Sequence, residues 1–385
     1  MKHKRYVLLA LLFVAPACGE SSLSLGAADV AALLKIHNIA DSYGEMTLGV
    51  DPWEVVVCHI PIFTSDEIFE PTLERMTLSS AEIVKRFTPV VSYFKRHSYG
   101  RYQPVFSAGQ DVTISDTETS DDCVERALDQ SGPEVRGVIV VADAEHGADE
   151  FGGWGTPGVG CTVSCSARKT RRSVYAGGGD FMDYWNGDSP LDLVEHEIGH
   201  ALDWPHSTTS ASNSGQELYD NALDLMSDSS APRMLISTKR HGPGTLAINL
   251  YAARWFDDEH LQILDRSRRV NTKVQLLATD TDLSIMGTRF VVIVDGVNSF
   301  LTVELIAARG DNAHLKFDAV AIHRITVAGT SGVDRQQIVI DGDMQDGDEW
   351  TKDGLNVDVL SITSVDGQIE AEINIRSVER NSVIG

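Results

Sequence analysis

Positive charge is scarce in this sequence. Lysines and arginines number 32 against 56 aspartates and glutamates, a net charge of −24. Such a surface repels phosphate backbones, which excludes nucleic acid and anionic membrane faces as partners. The apolar stretch near the start, Tyr6 to Val14, is too short to span a bilayer. Internal repeats are absent, which removes solenoids and propellers. The glycine-rich "GADEFGGWGTPGVG" lacks the lysine and Ser/Thr of a phosphate-binding loop and reads as a surface loop. What is left is ordinary globular composition, 42% hydrophobic and 23% charged, with room in 385 residues for two domains.

The N-terminus reads as an export signal. Lys2, Lys4 and Arg5 precede the apolar stretch, and Ala15-Pro16-Ala17 supplies a small-residue cleavage site, so residues 1–17 form a signal peptide. Cys18 comes next. "APAC" therefore reads two ways, as ordinary secretion or as a lipobox-like site that leaves Cys18 lipidated. The expected location is outside the cell, secreted or lipid-anchored at the surface, with that anchor as the sole tie to a membrane. Setting Cys18 aside leaves Cys58, Cys123, Cys161 and Cys165, an even number in an oxidising compartment. Two disulfides are expected, and three pairings stay open.

Strand and helix signals alternate after the leader. "AADVAALLKIHNIA" has helical spacing, and "WEVVVCHIPIF" and "VRGVIVVADA" are buried-strand runs. "SSAEIVKRFTPVVSYFKRHSYGRY" opens on a capping-box spelling, Ser79 or Ser80 before Glu82, and Pro89 predicts a kink or break inside it. "DDCVERALDQSG" is a short helix, and "RRSVYAGG" reads as a strand at a sheet edge.

The chemistry is concentrated in "DLVEHEIGHALDWPHS", residues 192–207. On a helix, His196 and His200 lie one turn apart on one face and can close on a single ion. Zinc is the usual ion for neutral nitrogen ligands with a further position open. Glu197 is rotated by about 100° from His196, unsuited as a neighbouring ligand but suited to take a proton from a water that the metal activates. Pro205 stops the helix near Asp203, so that His206 can swing back as the third ligand.

The spelling H-E-x-x-H-x-x-x-x-x-H resembles that of the metzincin zinc metalloproteases. Asp203 stands where that family has glycine, a position that wants positive φ. Aspartate visits that region at a cost of about 1–2 kcal/mol. Met226 in "ALDLMSD" resembles the family's methionine turn under the metal, "GTLAINLYAARWF" its closing helix, and "YFKRHSYGRYQPVF" a segment of gametolysin-like and immune-inhibitor-like secreted proteases. The resemblance covers roughly residues 50–260. It implies an α/β (α+β) catalytic domain with a twisted sheet above the cleft and a mostly helical part below. It also implies one catalytic zinc, with His196, His200 and His206 as ligands and Glu197 as the base. By edge-strand pairing, Val174 and Tyr175 are expected to bind substrate, with Trp204 and the Met226 segment as pocket walls. Glu217 and Asp203 are the rival third ligands.

From about residue 266, seven short runs with strand composition suggest an antiparallel β-sandwich. Glu304 with Asp311, and His323-Arg324, resemble segments of C-terminal modules in the gametolysin-like group. Residues 341–349, "DGDMQDGDE", are acidic enough for calcium but lack EF-hand spacing and read as a solvated turn. The expected organisation is a signal peptide (1–17), an N-terminal segment (18–50), a catalytic domain (51–265) and a sandwich domain (266–385). The expected function is a zinc-dependent endopeptidase acting on proteins or peptides. The alternative is a surface-binding lipoprotein with a degenerate protease domain, against which the intact Glu197 speaks.

Overall fold

A computed structural model describes residues 33, 36, 47–60, 75–115, 117–144, 152–157, 171–209, 219–327 and 335–378. Among these residues the fold is mixed α/β with three sheets. The first sheet is built from β1 (Gly49–His59), β2 (Tyr102–Ala108), β3 (Val112–Thr113), β4 (Gly137–Ala142), β5 (Gly153–Thr156) and β6 (Arg172–Ala176). Its order is β2-β1-β4-β6-β5 with β3 against β1, all parallel except the antiparallel β5. Helices cover both faces, as a parallel sheet requires.

On one face lie α1 (Ser80–Arg86) and α2 (Thr88–His97). Ser79 and Glu82 close the capping box in front of α1, and the expected break falls at Phe87, with Pro89 in the first turn of α2. Ile83, Phe87, Val90, Tyr93 and Phe94 bury themselves against Trp53, Val55 and Val57 of β1. The other face is covered by α3 (Ser120–Gln130), which packs Val124, Ala127 and Leu128 on Val56, Val138 and Val140. Cys123 of α3 is disulfide-bonded to Cys58 of β1. Cys18, Cys161, Cys165 and most of the helix expected at 27–40 lie outside the described residues. Leu33 and Ile36, from that helix, are buried in the core.

Two strand expectations need correction. "RRSVYAGG" is not an edge: β6 lies between β4 and β5, and Val174 and Tyr175 are wholly buried. The edge on this side, among the described residues, is β5, from the glycine-rich stretch read as a surface loop. The misreading rests on Arg172, whose charge suggests exposure. Its guanidinium is instead buried in an ion pair with Asp51, 4.8 Å above the Trp53 ring.

Past β6, α4 (Asp192–Ala201) crosses the first core, and β7 (Ser207–Thr209) follows. Among the described residues the next α-helices are two short ones, α5 (Ala231–Leu235) and α6 (Ala247–Ala252), so the described portion of this part is mostly loop where a helical part was expected. The chain then builds β8 (Leu261–Asp265), β9 (Asn271–Leu277), β10 (Phe290–Gly296), β11 (Ser299–Ile306), β12 (Ala319–Val327), β13 (Arg335–Met344), β14 (Glu349–Lys352), β15 (Leu355–Val365) and β16 (Gln368–Ser377). These form a six-stranded sheet, β7-β13-β12-β11-β10-β8, facing a four-stranded one, β14-β15-β16-β9. All seven runs read from the sequence are strands.

The six-stranded sheet takes both edge strands, β7 and β8, from before residue 266, and both pair in parallel. Its two faces are buried against different partners. Val291, Ile293, Leu301, Val303 and Ile322 face the four-stranded sheet, while Phe290, Val292, Phe300, Ile325 and Val327 join the core of the first sheet. Burial on both faces is why β10 to β12 read as near-continuous apolar runs. Asp311 strengthens the junction by pairing with Arg96 and His97 of α2.

Two carboxylates of the acidic run 341–349 cap backbone amides. Asp348 accepts a hydrogen bond from the Gln345 amide, and Asp346 accepts one from Ile362.

The Cys58–Cys123 bond closes a loop of 65 residues, and chain-entropy arguments put its worth at about 4 kcal/mol. The double substitution Cys58→Ala/Cys123→Ala is therefore expected to lower the unfolding free energy in urea by about 2–4 kcal/mol. An unchanged midpoint and slope would mean that the covalent tie between α3 and β1 adds nothing to stability.

Candidate metal centre

The centre is set by how α4 ends. Leu202 caps the helix, and Asp203 takes the left-handed conformation at φ +68°. The Asp203 amide donates to His200 O (2.9 Å) and the Trp204 amide to Gly199 O (3.0 Å). This is a Schellman turn, in which the residue after the cap is usually glycine. The positive φ expected at Asp203 is therefore present. Pro205 follows the turn, and the chain doubles back so that His206 meets the two helical histidines.

Three Nε2 atoms converge. That of His206 lies 3.2 Å from Nε2 of His196 and 2.8 Å from Nε2 of His200. The protons of the two helical rings are elsewhere. Nδ1 of His196 donates to Leu225 O at 2.7 Å, and Nδ1 of His200 donates to Trp204 O at 2.8 Å. A carbonyl only accepts, so in the neutral rings the lone pair of each is left on Nε2. Burial, reinforced by the neighbouring imidazoles, pushes His196 down to about 3 and His200 down to about 4, so both rings are neutral at pH 7. A proton on Nε2 of His206 satisfies one of the two contacts, whereas a cation satisfies all three rings. This donor set fits a divalent ion that prefers nitrogen, zinc above all.

Glu197 completes the arrangement. It is 3% exposed, and burial pushes its carboxyl up to about 8. Its Oε2 is buried without a hydrogen-bond partner, an expensive state for an isolated carboxylate and one that a nearby cation or polar ligand relieves. Gly153 and Gly155 of β5 lie directly over this residue. A Cβ at Gly153 would come within 3.0 Å of Glu197 Cγ. One at Gly155 would collide with the Glu197 carbonyl and come within 2.9 Å of His200 Cβ. The sheet edge thus rests on the face of α4 that carries Glu197 and His200.

Met226 is fully buried below the helix, where a Cβ at Gly199 would strike its sulfur. The backbone around it holds both sides of the centre: Leu225 O takes the His196 proton, and Met226 O takes the Ser207 amide at 3.0 Å. Trp204 is buried against Trp255 (5.2 Å) and Phe94 (6.5 Å), so the expected pocket wall is a core residue whose carbonyl serves the site. Val174 and Tyr175 lose the edge position on which their substrate role rested. Glu217 lies outside the described residues.

Tyr219 was not anticipated. Its ring stands 5.1 Å from His206 and 6.1 Å from His196, and the residue is largely exposed. No periodicity marks it in the sequence. In a second cluster among the described residues, Asp257, Glu259 and His260, Asp257 pairs with Arg101, and His260 Nδ1 accepts the Asp257 amide.

The close approach at Gly155 yields a prediction. Gly155→Ala must part β5 from α4 and is expected to cost about 3 kcal/mol, the upper range for overpacking. Gly187→Ala serves as control, since nothing lies within 4 Å of its Cβ and only its φ of +85° is strained. It is expected to cost about 1 kcal/mol. Equal urea midpoints for the two variants would refute the contact between β5 and α4. No protein-family model matches this chain, and no curated protein matches it.

Proposed function

We propose that the protein is a zinc-dependent endopeptidase that hydrolyses proteins or peptides outside the cell, secreted or anchored through Cys18. The observation that carries this reading is the convergence of three imidazole Nε2 atoms beside a buried, unpartnered carboxylate oxygen of Glu197. His196, His200 and His206 would hold the ion. Zinc in that position supplies Lewis-acid chemistry, polarising a carbonyl and acidifying a water.

The chain's own residues do the rest. Glu197 accepts the proton of the attacking water and passes it to the leaving amine. The proximity of β5 to Glu197 gives an extended substrate backbone an edge to pair with. Gly153 and Gly155 keep that approach free of side chains. The resemblance to metzincins supports the same reading through His206, the turn at Asp203 and the buried Met226. The disulfide between Cys58 and Cys123 supports an oxidising compartment. Among the described residues no helix is long and apolar enough to cross a membrane.

Metal analysis combined with a peptide-cleavage screen tests the proposal. Purified protein is expected to carry about one zinc per chain and to lose cleavage on treatment with a chelator. Glu197→Gln should keep its zinc while kcat falls by about 10²–10⁴-fold, the usual weight of a general base. His206→Ala should lose zinc affinity and activity together. Full zinc content and full rate in His206→Ala would overturn the three-histidine assignment.

A further inference from the structure

The loop that orients His196 is tied to the C-terminal sheet. Arg335 opens β13 and is 3% exposed. Burial pulls its guanidinium down to about 10, and two carboxylates, Asp203 first and then Asp224, hold it up against that. It is therefore charged at neutral pH. One partner of its planar fork is Asn249 of α6, whose Oδ1 accepts from Nη2 at 2.7 Å and from Gln337 Nε2 at 2.8 Å.

Two routes lead from β13 to the histidines. Along the first, β13 pairs in parallel with β7, in register Gln337↔Ser207, Ile338↔Thr208 and Val339↔Thr209. Ser207 directly follows His206, so the pairing fixes the backbone that carries the third ring. Along the second, Asn249 donates to Thr245 Oγ1 (2.8 Å), and Thr245 donates to Asp224 Oδ1 (2.8 Å). Asp224 also accepts the Met226 amide at 3.2 Å, and Leu225 between them carries the carbonyl that orients His196. Every side chain on this route is buried.

We propose that Arg335 is a positioning residue for the metal centre: anchored in the C-terminal sheet, it holds Asn249 and, through Thr245 and Asp224, the loop that orients His196, while β13 fixes the backbone beside His206. On this view the C-terminal sheet is part of the centre's scaffold rather than an attached module. The inference rests on the metal reading above and concerns residues that do not touch the ion.

The test is zinc affinity, measured on the full chain by competition with a chromogenic chelator, alongside urea unfolding of the metal-free protein. Arg335→Met, Asn249→Ala and the double variant are compared with Ile373→Val, a core change in the four-stranded sheet distant from the turn in the contact pattern. Outer-shell residues typically contribute about 10–100-fold to metal affinity, so Arg335→Met is expected to weaken zinc binding about tenfold or more. Ile373→Val, which costs about 1 kcal/mol of stability, should leave affinity within twofold.

Asn249→Ala should also weaken binding, and the double variant should bind no worse than the weaker single, because both residues act along one chain of hydrogen bonds. If Arg335→Met does not fold, Arg335→Lys takes its place; it keeps the charge but loses the fork and is expected to fall several-fold in affinity. Folded Arg335 variants with parental affinity, or single effects that multiply in the double variant, overturn the inference while leaving the metal reading intact. A parent protein that binds no zinc overturns both.

Discussion

Two imidazole protons govern the centre. Each helical histidine gives its Nδ1–H to a backbone carbonyl, and that choice turns both Nε2 lone pairs toward His206. Fixing a ligand's far nitrogen in this way sets its tautomer and ring orientation before any ion arrives. The two carbonyls have different origins. Trp204 O belongs to the turn that ends α4, so His200 is oriented by the same Schellman motif that sends the chain back to His206. Leu225 O belongs to a separate loop, so His196 depends on how that loop is held.

The loop is held from the C-terminal side. Asn221 and Ser207 are linked at 3.1 Å, Leu225 donates to Gly244 O at 2.8 Å, and Asp224 gathers Thr245 and the Met226 amide. Beyond them, Glu304 of β11 accepts the Ala247 amide at the start of α6 (2.9 Å). Burial pushes Glu304 up to about 8 and its neighbour His323 down to about 3, so at pH 7 their 3.4 Å contact joins neutral groups and not an ion pair. Polar groups this deep are costly unless satisfied, and a network of them defines one geometry more sharply than apolar packing does. The junction between sheet and loop therefore combines apolar burial through Phe300, Ile325 and Val327 with directional bonds that set its register.

Much of this was legible because the residues concerned obey local rules. Ser79 with Glu82, the break before Pro89, the three-histidine spacing and Pro205 each specify backbone within a few positions: the capping box, the break and the helix stop form, and the three rings converge. The seven C-terminal strands announced themselves by composition. The failures have a common cause, which is that their reasons lie in distant residues. Glycine weakens a strand, so Gly153–Thr156 read as loop; its glycines are there because α4 approaches too closely for a Cβ. Arg172 suggested an exposed edge, and only Asp51 and Trp53, over a hundred residues earlier, explain its burial. Ser207–Thr209 is three residues long and becomes a strand only because β13 is beside it. Tyr219 owes its place to the loop and carries no pattern at all.

Asp203 brings the local and the distant together. Judged locally, glycine is the better residue, because it relieves about 1–2 kcal/mol of left-handed strain. Across the junction another influence acts: Asp203 and then Asp224 are the carboxylates that favour the charge of the buried Arg335. That attraction works against the left-handed strain at φ +68°, and glycine, which carries no charge, would give it up.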